Sequence, residues 1–125
     1  MKRISLALLA LAALCCVSCR KQDIRTAVLE VPGMKNQSCA DRIVKAVATE
    51  LAAGPADDAT PQRIQAVVLS GAIKTDLDRK VVTVTYDSLR LSLKNLEFAA
   101  AKAGFAANNT PADPEAVKAL PPDCR

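Results

Sequence analysis

The chain has 125 residues, half of them apolar, with 17 basic and 13 acidic side chains, two Phe, one Tyr, and neither Trp nor His. A small charge excess with no stacking surface excludes a nucleic-acid interface, and the missing imidazole excludes histidine metal sites. Four glycines and no histidine leave no phosphate loop and no Ser-His-Asp set, so an enzyme is not expected.

Lys2 and Arg3, the apolar run from Ile4 to Leu14, and Cys16-Val17-Ser18-Cys19 form a secretory signal. The run is well short of the roughly 20 apolar residues that span a bilayer. Ser18 before Cys19 resembles a bacterial lipoprotein cleavage site, better placed than Cys15 or Cys16. On that reading residues 1–18 are a signal peptide, Cys19 is the acylated first residue, and 19–23 are a polar tether. Ordinary cleavage without lipid is the alternative. Diacylation would hold the protein stably on a membrane of the bacterial envelope, periplasmic or outer-membrane associated. Without Lys2 and Arg3 the chain keeps 15 basic and 13 acidic residues, a net charge of +2.

Ile24 to Val31 alternates as a half-buried strand, with Ala27, Leu29 and Val31 on the inner face. Pro32-Gly33 ends it. Ser38 offers a helix N-cap with Asp41 three residues on, and the helix carries Ile43, Val47 and Leu51 at helical spacing. It should stop near Ala53-Gly54-Pro55, with Ala56 to Ala59 as a loop. Thr60-Pro61 starts a short second helix that runs through Leu69 to Gly71. Ile73, Thr75 and Leu77, a turn at Asp78-Arg79-Lys80, and Val82, Val84 and Tyr86 predict a hairpin. Ser92 opens a helix with Leu93, Leu96, Ala100 and Ala103 on its buried stripe, and Gly104 suits its C-terminal stop. Phe105-Ala106-Ala107 is a short last strand. Asp113-Pro114 begins a small tail helix that Pro121-Pro122 closes.

Apart from the Thr60 helix, this order predicts an α+β, ferredoxin-like βαββαβ sandwich, with two helices on one face of a four-stranded antiparallel sheet. The domain covers 24–107 and residues 108–125 form a tail. The paired carboxylates Asp57-Asp58 and Asp76/Asp78 read as loop and turn residues.

Val31-Pro32-Gly33-Met34-Lys35-Asn36-Gln37-Ser38-Cys39 resembles the Gly-Met-Thr-Cys-x-x-Cys metal loop of the heavy-metal-associated domain family. Ala101-Lys102-Ala103-Gly104-Phe105 is similar to that family's Glu-Lys-Ala-Gly-Tyr ending. The resemblance spans about Ile24 to Ala107 and implies a soft-metal carrier. Gly33, Met34 and Cys39 are in place, but Asn36 stands where the first cysteine belongs. The stretch between Leu51 and Ile73 exceeds the family norm by more than ten residues. The family's methionine packs under the loop, so Met34 reads as core rather than ligand.

Cys39, beside a helix start, has its thiolate favoured by unpaired N–H groups and the helix dipole. It reads as a ligand for Cu(I) or another thiophilic ion, as half of a disulfide, or as a relic thiol. A zinc site lacks donors. The second sulfur would come from Cys124. A last strand antiparallel to the first would leave the chain at the far end of the sheet, so the tail would have to return roughly 20 Å. Residues 108–123 are long enough for that. The functional expectation is an envelope-anchored metal-binding or transfer protein using Cys39 and Cys124, or Cys39 with a donor or acceptor protein's thiol. The alternative is a degenerate domain without metal, stapled by a disulfide, that serves as an interaction module.

Overall fold

The computed structural model describes residues 22–53 and 60–125. The signal segment, Cys19 as lipid site and most of the tether lie outside the described residues, as do Gly54 and the loop that follows it. No helix among the described residues is long and apolar enough to cross a membrane.

Strands β1 (Ile24–Glu30), β2 (Ile73–Asp76) and β3 (Val81–Asp87) form one antiparallel sheet in the order β1-β3-β2. Ala27 lies opposite Val84 and Leu29 opposite Val82, so the alternating apolar residues of both strands share the inner face. Between β2 and β3, Asp76 Oδ1 accepts the Arg79 N–H at 3.0 Å and Lys80 takes a positive φ of 55°. Leu77 belongs to this turn rather than to the strand, because Asp76 already pairs with Val81.

Helix α1 (Gln37–Ala52) buries Cys39, Ala40, Ile43, Val47 and Ala48. After α2 (Pro61–Leu69), capped by Thr60, and the hairpin comes α3 (Leu93–Lys102), which buries Leu96 and Ala100 against the same core. That core holds Leu29, Val31, Met34, Val82, Val84 and Phe105. Met34 is fully buried, as its place under the loop implies.

The expected fourth strand does not form among the described residues. Phe105 to Ala107 supplies a single bridge, Ala107 to Thr110, and Asn108 sits at a φ of 50° in a tight reversal. Asn108 imitates one rung of a strand: its N–H donates to the Glu30 carbonyl at 2.9 Å, and its Oδ1 accepts the Glu30 N–H at 2.9 Å. The left-handed conformation that Asn tolerates then turns the chain away from β1. Behind the turn lies Glu97, 4% exposed. Its Oε2 accepts from Thr110 Oγ1 at 2.7 Å and from Lys94 Nζ at 2.5 Å, and its Oε1 accepts from Asn108 Nδ2 at 3.0 Å. A buried carboxylate with three donors fixes the reversal that replaces the strand.

From there the chain runs through α4 (Pro114–Ala119), capped by Asp113, into a 3₁₀ turn at Pro122–Cys124. Gly104 makes this possible twice over. It takes a φ of +94°, and a Cβ built there would stand 2.9 Å from Leu120 Cγ and 3.1 Å from the Ala116 carbonyl oxygen. Gly104→Ala therefore incurs both backbone strain and a clash, an expected loss of about 2 kcal/mol. A thermal midpoint equal to that of the parent would refute this account.

Candidate functional site

The loop Val31 to Asn36 carries the chain from β1 to α1, and the site forms where α1 begins. The expected cap, Ser38, is not the one used. Asn36 is the N-cap, with an extended backbone and its Oδ1 accepting the Cys39 N–H at 3.0 Å. The Ser38–Asp41 capping box is not made; Gln37 Nε2 donates to Asp41 Oδ1 at 2.8 Å instead. Asn outranks most residues as a cap because its short carboxamide reaches the third helical N–H without strain. The residue three positions before Cys39 thus organises the start of the helix that bears it. Asn36→Ala should cost about 1 kcal/mol by urea titration, and an unchanged midpoint would show that the cap adds nothing.

Cys39 and Cys124 meet. Their Cα atoms are 5.7 Å apart across 85 positions of sequence, and the sulfurs are joined in a disulfide. Cys39 is fully buried and Cys124 only 3% exposed. The Asp123 carbonyl oxygen lies 3.7 Å from Cys39 Sγ. Lys35 Nζ donates to the backbone oxygen of Arg125, tying the loop to the last residue of the tail.

The route of the tail differs from the expected one. No return along the sheet takes place, because the reversal at Asn108 keeps the chain beside the end of β1 where the loop starts. The Asp113 N–H donates to the Ala101 carbonyl at 3.0 Å, and Leu120 settles over Gly104. The missing fourth strand and the meeting of the two cysteines therefore have one cause.

As a donor set the pair is sparse. Among the described residues no three His, Cys, Asp or Glu side chains gather as a metal group. Two thiolates would suit a two-coordinate soft ion, whereas a structural zinc site needs four donors. Sequence reasoning missed Asn36 as cap, Glu97 and Lys35. A polar residue three positions before Cys39 was the signal for the first. A glutamate beside the Leu96–Ala100 stripe, followed by Asn108 and Thr110, was the signal for the second.

The fold is similar to that in the crystal structure of oxidized MerP from Ralstonia metallidurans CH34, with a TM-score of 0.50 and 22% sequence identity. The match covers 69% of this chain and 96% of that one. At this identity the likeness bears on the fold alone, a small α+β arrangement of the ferredoxin-like kind. No family model and no curated protein matches the chain.

Proposed function

We propose that this protein binds or passes on a soft heavy-metal ion, copper above all, through the reduced thiolates of Cys39 and Cys124. The observation that carries this reading is the convergence of two sulfurs from distant parts of the chain at the start of α1, beside the Gly33-Met34 loop. The likeness of fold to MerP supports it. Helix N-terminal N–H groups favour an anionic sulfur at Cys39. Linear coordination asks for two sulfurs on opposite sides of one ion, roughly 4–5 Å apart by the lengths of metal–sulfur bonds. In the disulfide they are bonded, so loading needs reduction and an outward shift of Cys124. Alternatively, a donor or acceptor protein's thiol takes the place of Cys124. Lipid attachment at Cys19 would hold the protein in the bacterial envelope.

Anaerobic titration of the reduced protein with Cu(I) against a competing chelator tests the reading. Binding tighter than in Cys39→Ser supports it; equal binding ends it.

The disulfide itself favours a second reading, a stapled module without metal that serves protein interaction. An Asn36→Cys variant that gains metal affinity while the parent has none would decide for the module.

A further inference from the structure

The end of the chain is held at two points of unequal kind. Leu120, 4% exposed, is packed into the notch over Gly104, where any side chain would collide with it. Beyond Leu120 come Pro121 and Pro122, and then the disulfide at Cys124. The remaining polar contacts of this last segment are mostly internal. The Cys124 N–H donates to the Pro121 carbonyl at 2.9 Å, and Arg125 Nε donates to the Leu120 carbonyl at 2.9 Å. Among the described residues, the segment's hydrogen bond to the rest of the fold beyond Leu120 is the exposed clasp from Lys35 to the Arg125 backbone oxygen; the Asp123 carbonyl oxygen only approaches the disulfide sulfur of Cys39, which has no proton to donate. What holds residues 121–125 against α1 is thus chiefly one covalent bond and the small buried side chain attached to it.

We propose that residues 121–125 form a redox-released strap over Cys39, bolted while the Cys39–Cys124 bond is intact and free to swing about Leu120 once it is cut. A dithiol reductant supplies two electrons and two protons; the Sγ–Sγ bond breaks, both sulfurs become thiols, and the reductant becomes a disulfide. Without the bond, one small buried side chain and an exposed lysine contact do not offset the ordering of five residues. The two prolines keep the strap stiff, so it moves as a short arm rather than fraying residue by residue. Opening exposes Cys39 at the helix start, where a thiol-bearing partner or a metal can reach it. Closing buries it completely.

This concerns the same site as the metal reading and rests on that reading only for its consequence. The strap is tested with no metal present, so either idea can fail while the other stands.

The full chain is compared before and after treatment with dithiothreitol under native conditions, by hydrogen exchange and by maleimide labelling, both resolved by peptide. On reduction, amides of Asp123 to Arg125 should lose protection, and the freed Cys39 thiol, with excess reductant removed, should label within about tenfold of its rate in the urea-unfolded chain, while β3 amides and α4 stay better protected than the tail. Cys124→Ser, kept without reductant, should label at Cys39 as fast as the reduced parent. Two results overturn the strap. One is a Cys39 that stays unlabelled, with Asp123 to Arg125 still protected, after reduction. The other is a β3 that exchanges as freely as the tail, which would mean that cutting the bond opens the whole fold and not the strap alone.

Discussion

Removing the disulfide by Cys124→Ser, or by reduction, should lower the stability of the folded protein by up to about 4 kcal/mol. The bond closes a loop of 85 positions, and a cross-link over that length removes much of the conformational freedom of the unfolded chain. For a domain of this size the loss corresponds to a fall of roughly 15 °C or more in thermal midpoint. A released strap makes the measured value smaller, because the reduced native state regains the freedom of its last residues. Urea denaturation of oxidised, reduced and Cys124→Ser protein gives all three numbers. The reduced parent and the serine variant should coincide within about 1 kcal/mol, since losing one small buried thiol adds little. Equal midpoints for oxidised and reduced protein would mean that the bond contributes no stability.

Much of the scaffold is legible in the residues because local and global signals agree there. Ala27, Leu29 and Val31 alternate, Ile43 and Val47 recur at helical spacing, and Val82 and Val84 mirror β1 across the hairpin. Each pattern buries one face against the same core, so periodicity alone identifies it. Phe105-Ala106-Ala107 could not be read this way. Three residues carry too little pattern to distinguish a strand from a turn, and a side-chain network built from Lys94, Glu97, Asn108 and Thr110 decides the matter. Such a network joins two segments that sequence spacing does not relate.

The candidate site follows the same division. The Gly33-Met34 loop and Cys39 carry a local signature, and Cys124 stands out as the other cysteine among the described residues. That the two meet follows from chain length only if the path of the tail is known, and the path depends on the reversal at Asn108. Likewise Ser38 and Asn36 are both good caps by type. Which one the helix uses is settled by where the loop after β1 delivers the chain, which is a tertiary matter.

Glu97 is the residue on which that path depends most, and its replacement should be the most damaging single change outside the cysteines. Its carboxyl is held down to about 2 from an ordinary 4.5. The Lys94 ammonium is the chief cause and Asn108 the next; Thr110 adds to both, while burial opposes all three. Glu97→Ala strips the Asn108 amide and the Thr110 hydroxyl of their acceptor, an expected loss of about 2–3 kcal/mol. Glu97→Gln keeps the shape but turns a carboxylate that only accepts into an amide that must also donate, and should lose about half as much. The charge carries a definite dependence on pH. A carboxyl whose folded value is depressed adds stability that is complete above its unfolded value near 4.5 and is lost as pH falls towards 2. The gap between parent and Glu97→Gln should therefore be widest at neutral pH and close steadily between those limits. Parallel stability curves through that window would show that Glu97 fixes the turn by shape alone. If the reversal opens with its loss, Leu120 and Cys124 are no longer delivered to the start of α1. Disulfide formation in refolding Glu97→Ala should then be slower than in the parent, and equal rates would separate the turn from the site.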